Sequence, residues 1–127
     1  MTPIRLLLDT HVFLWWRAEP SRLSSEVRDR ISTAEFVFVS AASAWEAGIK
    51  VALGRLDFPD SIEAGVVASV FEKLLITFPH AERAASLPAY HRDPFDRMLV
   101  AQAQIEGLIL VTHDRLLKPY DIEILWA

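Results

Sequence analysis

Short apolar runs alternate with helical stretches along the chain, and this alternation restricts the possible folds more than any other feature of the sequence. Ile4-Arg5-Leu6-Leu7-Leu8 is too short for a helix and mostly apolar, as expected of a strand covered on both faces. Glu35-Phe36-Val37-Phe38-Val39-Ser40 is rich in β-branched and aromatic residues and reads as the next strand. Residues 74–78, 108–112 and 122–126 complete the set, the last at an edge. Between them lie helical stretches. Thr10 is placed to cap one that runs through Val12, Phe13, Leu14, Trp15 and Trp16 to the break at Glu19-Pro20. Ser24 or Ser25 opens a second to about Thr33, with Val27 and Ile31 facing inward. Ser40 or Ser43 opens a third that carries Trp45, Glu46 and Lys50 and closes at Gly54. Asp60 and Glu63 have capping-box spacing for a helix to about Lys73, and residues 80–87 form a shorter one. Strands alternating with helices imply an α/β fold: a mostly parallel sheet of about five strands with helices on both faces, in one domain spanning residues 1–127.

The most defined helix begins at Asp93-Pro94-Phe95-Asp96-Arg97. Asp93 is placed to be its N-cap, Pro94 occupies the first helical position where a missing N–H costs nothing, and Asp96 lies in the first turn. Beyond it Met98, Leu99, Val100, Ala101, Ala103 and Ile105 make the helix apolar or small almost all round, so it is buried until Gly107 ends it. Capping and compensation of the helix dipole would alone explain both aspartates.

In parallel sheets, ligands bind outside the carboxyl ends of the strands, near the point where strand order reverses. Asp9 directly follows the first strand and Asp114 follows the fourth by one residue, while Glu46 and Asp96 lie in first turns from which they can reach the same edge. Four carboxylates are therefore expected to converge. Two like charges about 4 Å apart repel by about 1 kcal/mol in water and about 4 at an effective dielectric of about 20. Such a group either shares protons or holds a cation. There is no cysteine, which removes disulfides, thiol nucleophiles and thiolate zinc sites. Oxygen donors around an open acidic pocket suit Mg²⁺ or Mn²⁺. A divalent ion held this way activates water and stabilises a leaving oxygen, so phosphodiester hydrolysis is the natural reaction, with Glu46 or Asp114 taking the proton of the water.

Leu-Leu-Leu-Asp9-Thr10, Ser40 through Trp45-Glu46, His91-Arg92-Asp93-Pro94-Phe95-Asp96-Arg97 running into Ala101-Gln102-Ala103, and Val111-Thr112-His113-Asp114 together resemble the PIN-domain nucleases, and among them the VapC-type toxins of bacterial toxin–antitoxin operons. The resemblance covers nearly the whole chain. It implies a ribonuclease dependent on Mg²⁺ or Mn²⁺, a homodimer, and inhibition by a cognate antitoxin. It also implies that Asp9, Glu46, Asp96 and Asp114 are the acidic set, both catalytic and metal-binding, with Thr112 in support. Many relatives have Asn or Arg where this chain has His113.

Other readings stand beside these. Glu46 with Lys50 at i+4 can be a surface pair worth about 0.3 to 0.5 kcal/mol, although the adjacent Trp45 argues that the turn is buried. His11, His91 and His113 have side chains suited to acid–base work near neutral pH, but no spacing demands it. The net charge of −4 excludes RNA binding by general phosphate attraction, leaving Arg92, Arg97, Arg115 and Lys118 around the acidic stretches as candidate phosphate contacts or solvated surface charge. An enzyme forming an aspartyl-phosphate on Asp9 is a different class; haloacid-dehalogenase-like enzymes place a second Asp two residues on, where this chain has His11. A non-catalytic binding module of the same fold is a third, weakened by the presence of all four acids. No apolar run reaches the ~18 residues of a membrane span, and the N-terminus lacks the features of a signal peptide, so no membrane association and a cytoplasmic location are expected.

Overall fold

The computed structural model describes residues 3–127. The chain runs β1 (Arg5–Leu8), α1 (Thr10–Ala18), α2 (Ser25–Thr33), β2 (Phe36–Ser40), α3 (Ala41–Ala52), α4 (Ile62–Ala68), β3 (Glu72–Leu74), α5 (Phe78–Ser86), α6 (Pro94–Glu106), β4 (Ile109–Thr112) and β5 (Ile124–Trp126). Two 3₁₀ turns, Pro20–Arg22 and Arg115–Leu117, complete it. The five strands form one sheet in the order β3-β2-β1-β4-β5, with every pairing parallel. The expected α/β architecture is therefore the observed one.

β1 is central because its side chains are apolar on both faces. Leu6 and Leu8 join Val12, Phe13, Val27, Ile31 and Val111 in one core. Leu7 points the other way and packs with Leu99, Val100, Leu110 and Leu117 in a second. From β1 the chain builds outward through β2 and β3, then crosses back to add β4 and β5 on the other side. The reversal puts a crevice at the carboxyl ends of β1 and β4, and α3 packs against both α1 and α6 beside it.

Several local expectations shift. Asp9, not Thr10, caps α1, its side chain accepting from the Val12 N–H at 2.8 Å; Thr10 lies inside the helix. Ser24 and Ser40 are the caps of α2 and α3. Ser61 rather than Asp60 caps α4, and the helix ends at Ala68 instead of reaching Lys73. Val70 then takes a positive φ of 58°, and the chain turns directly into β3 at residues 72–74. The expected strand at 74–78 is displaced because β3 is an edge strand: Glu72 and Lys73 can keep their charges in solvent, whereas exposed Leu75 and Ile76 mimic a buried run. At the start of α5, Thr77 and His80 form a capping box. In α6, Asp93 is the cap, accepting from Phe95 N–H (2.8 Å) and Asp96 N–H (3.4 Å), and Gly107 ends the helix at φ 67°.

Candidate active site

The crevice is a cavity of about 350 Å³. Asp9, Glu46, Asp93, Asp96 and Asp114 all line it, against the cations of Lys50 and Arg115 and the imidazoles of His11, His91 and His113. Local chemistry places each acid. Asp9 leaves β1 with an extended backbone and caps α1 through Oδ1, while Oδ2 accepts from the Thr112 hydroxyl at 2.6 Å. Thr112 stands at the end of the neighbouring β4, so the two central strands are tied at their tips. The same hydroxyl oxygen accepts from the Asp114 N–H at 3.1 Å, fixing how the chain leaves β4. Asp114 Oδ1 then caps the following 3₁₀ turn through the Leu116 N–H.

Glu46 is almost fully buried on α3. Oε1 accepts from the Thr10 hydroxyl at 2.7 Å, and Oε2 lies 3.1 Å from Lys50 Nζ. Thr10 Oγ1 also lies 2.9 Å from Ser43 Oγ, so a buried hydroxyl pair joins α1 to α3. The pair with Lys50 is real but does not lie out on the surface. Trp45, expected to be buried, is 66% exposed and packs edge-on against Phe95 at 5.1 Å; Glu46 is buried because it is on the opposite side of the helix from solvent.

Asp96 faces the other acids from the first turn of α6. Burial first, then the charges of Asp93 and Asp9, raise its pKa to about 7. Asp9 is also raised, by burial, against the opposing pull of the Thr112 and Val12 hydrogen bonds. His91, to which no role was assigned from the sequence, bridges the group: its Nε2 is 2.9 Å from both Asp96 Oδ2 and Asp114 Oδ2. Nδ1 accepts from the Arg92 N–H at 3.0 Å, so the ring proton sits on Nε2 and points at the two carboxylates. The signal for His91 was its position two residues before the Asp93 cap, which carries no meaning until the loop conformation is known.

Arg97, a candidate phosphate contact, is committed elsewhere. Its guanidinium donates to the backbone carbonyls of Ala84, Leu87, Pro88 and His91 at 2.9 to 3.3 Å, and to Ala85 at 3.5 Å. Tyr120 supports the same loop, donating to Pro88 O at 2.7 Å and accepting from His91 N–H at 3.0 Å. Arg115 lines the cavity with its guanidinium 4.2 Å above the Trp126 ring, while Arg92 and Lys118 are exposed and outside the lining.

The donor set fits a hard divalent cation. Carboxylate oxygens predominate, and acids outnumber the cations that face them. Asp96 and Asp114 bring carboxylate oxygens within 4.8 Å of one another, with the Nε2–H of His91 between them. Burial raises the pKa of Asp9 and of Asp96, and for Asp96 the charges of Asp93, Asp9 and Glu46 add to it, so a cation among these acids would favour their ionised forms.

A sheet of this order with acids converging at the switch point is the architecture of the PIN domain. The sequence matches the PIN-domain family over residues 6–123, and the chain belongs to that family. Among individual proteins it is similar to Ribonuclease VapC22 of Mycobacterium tuberculosis (strain ATCC 25618 / H37Rv), 34% identical over 118 residues that cover 91% of each chain. In fold it is similar to the DNA-bound VapBC structure from Salmonella typhimurium, with TM-score 0.69 and 19% identity over 97% of this chain and 98% of that one. It is likewise similar to VapBC-5 from Mycobacterium tuberculosis, a member of the VapBC family of toxin–antitoxin systems, with TM-score 0.62 and 19% identity over 98% of this chain and 100% of that one.

Proposed function

We propose that this protein is a Mg²⁺- or Mn²⁺-dependent endoribonuclease that hydrolyses RNA phosphodiester bonds and acts as the toxin of a toxin–antitoxin pair. The carrying observation is the convergence of Asp9, Glu46, Asp96 and Asp114 in one cavity at the switch point of the sheet. Family membership and the similarity to a protein named as a ribonuclease support it. These four acids would hold the cation, which supplies Lewis-acid stabilisation of the phosphate and lowers the pKa of water. Asp114 is the better placed of the two acids to take the proton from the attacking water. Its side chain is 30% exposed at the mouth of the cavity, whereas Glu46 is 9% exposed with a donor on each oxygen. Thr112 holds Asp9 in place, and Asp93 keeps the α6 N-terminus, with its favourable dipole, aimed at the cavity. Transfer of phosphate to Asp9 is disfavoured, because the carboxylate is 4% exposed and both oxygens already accept hydrogen bonds.

The reading extends to an antitoxin partner, a homodimer and a cytoplasmic location, with residues 1–127 as one nuclease domain. Trp45 and Ile49 lie one turn apart on α3 with Leu53 at its C-cap, and all three are exposed, an apolar stripe of the kind that protein partners cover. No helix among the described residues is long and apolar enough to cross a membrane.

The test is cleavage of structured RNA by protein purified free of any partner. Cleavage is expected with Mg²⁺ or Mn²⁺, none with EDTA, and a loss of roughly 100-fold or more for Asp9→Asn and Asp96→Asn, since a cation supplies several kcal/mol of stabilisation. Cleavage that survives chelation, or that both variants retain, overturns the metal mechanism.

A further inference from the structure

A second cavity, of about 370 Å³, adjoins the acidic one and shares His11 and Lys50 with it as a common wall. It lies between α1 and the loop after α3, and its lining is of a different kind. Trp15, Phe58 and His11 supply aromatic surface; Arg22, Lys50 and Arg55 supply three cations against the two acids Glu19 and Asp57. Lys50 is paired with Glu46 and Arg22 with Glu19, which leaves Arg55 as the uncommitted cation of this lining, beside a cavity where acids dominate. Arg55 is exposed and makes no ion pair among the described residues, so its charge is available to a ligand. Trp15 is already bordered by cationic and aromatic groups, with Arg22 4.7 Å over its ring and His113 at 4.8 Å.

We propose that this cleft binds an unpaired nucleotide of the RNA next to the bond that is cut, the base against Trp15, Phe58 and His11 and its phosphate on Arg55. The inference rests on the ribonuclease reading and adds to it. Three observations carry it. The volume lies within the range of roughly 300 to 1,000 Å³ typical of small-ligand sites. Aromatic faces interleaved with cations are what single-stranded nucleic acid needs, because every base has a π-face and every linkage a negative charge. The shared wall makes the cleft continuous with the cavity where the phosphodiester is expected, so one strand can occupy both. Base-paired RNA does not fit, since stacking within the duplex withholds the base from the cleft. Recognition of an unpaired residue also resolves how a net acidic protein selects RNA without a broad basic face.

The test measures binding of a short, unstructured, fluorescein-labelled RNA to the Asp96→Asn protein, which is disarmed for cleavage, with Arg55→Ala or Phe58→Leu added. Phe58→Leu keeps apolar bulk where Phe58→Ala would hollow the loop, and exposed Arg55 can be truncated without loss of packing. Loss of a base-stacking partner is worth roughly 5- to 150-fold in affinity for truncation to alanine, so Phe58→Leu is expected toward the lower end. Arg55→Ala is expected to weaken binding and to reduce the slope of log affinity against log salt by about 1. The same RNA annealed into a duplex is expected to bind more weakly and to be indifferent to both substitutions. Mn²⁺ binding by calorimetry to protein with Asp96 intact is expected to be unchanged by either. Single-stranded binding that neither substitution weakens overturns the proposal, as does equal binding of duplex. Weakened capture of an antitoxin with unchanged RNA binding assigns the cleft to a protein partner and overturns it too. Failure of the ribonuclease reading looks different: the unsubstituted chain with metal then neither binds nor cuts any RNA.

Discussion

The tips of β1 and β4 and the edge strand β3 sit at the same level of one sheet, yet they are built to opposite rules. At β1 and β4 the polar groups are buried and restrained. Asp9 is held by Thr112 and Val12, Glu46 by Thr10 and Lys50, and His91 by two carboxylates and a backbone N–H. At β3 the charges stand in solvent, and Lys73 reaches Glu63 as an exposed pair. Polar order is therefore concentrated where it is costly to bury. Burying acids together without full neutralisation is unfavourable for folding, and it is retained where the cavity is, whereas the edge carries arrangements that contribute little.

Breaking the restraint at the centre gives the largest effect. Arg97→Ala removes a guanidinium that satisfies several loop carbonyls, and with it the support of His91. Charge-assisted hydrogen bonds contribute about 1.5 to 3 kcal/mol, so a loss of at least about 2 kcal/mol is expected in urea denaturation. A fall in metal affinity should accompany it, because the loop that carries His91 to Asp96 and Asp114 is released. If the midpoint and metal affinity both hold, the loop is positioned by something else.

The second contrast is electrostatic. Between the unfolded pKa of 3.8 and the folded value of about 7, native Asp96 binds a proton that the unfolded chain has released. The contribution of this group is therefore present at low pH and lost as pH rises through about 7. In metal-free protein the free energy of unfolding of the parent, relative to Asp96→Asn and measured in urea, is expected to fall across that window with a slope of at most about 1.4 kcal/mol per pH unit. Added Mn²⁺ is expected to abolish the difference in slope. Parallel pH profiles for the parent and the variant would show that Asp96 ionises in the native protein as it does in the unfolded one.

The smallest effect is at the edge. The Lys73 side chain lowers the pKa of Glu63, first by its hydrogen bond, but Glu63 is fully solvated. Lys73→Ala is expected to leave the urea midpoint unchanged within error and RNA cleavage untouched. A measurable loss of either would show that the edge shares in the restraint of the centre.

The contrast also explains what the sequence made legible. Leu6-Leu7-Leu8 and the α6 start announce themselves because burial on both faces and helix capping each leave a local residue pattern. β3 was misplaced because an edge strand with Glu72 and Lys73 lacks that pattern, while exposed Leu75 and Ile76 imitate it. Asp9, Asp96 and Asp114 could be grouped from strand ends and a first turn, whereas Glu46, expected in a first turn, reaches the cavity from the second turn of α3, which starts at Ala41. Trp45 misled because large aromatics are buried on average, and only the packing shows that this one faces outward. The roles of Arg97 and His91 were invisible for another reason: their partners are loop carbonyls and carboxylates brought close by a conformation with no periodic signature.

The hydrogen bond between Thr112 and Asp9 spans 103 positions in the chain, and β1 cannot gain its second neighbour until β4 exists. Synthesis from the N-terminus thus produces Asp9 103 positions ahead of the hydroxyl that holds it. Nascent chains that end before residue 112 contain three of the four acids but no closed cavity to hold them together. Closure of the site is therefore a late event in the folding of this domain: the cavity forms only once β4 has paired with β1 and the Thr112 hydroxyl has reached Asp9.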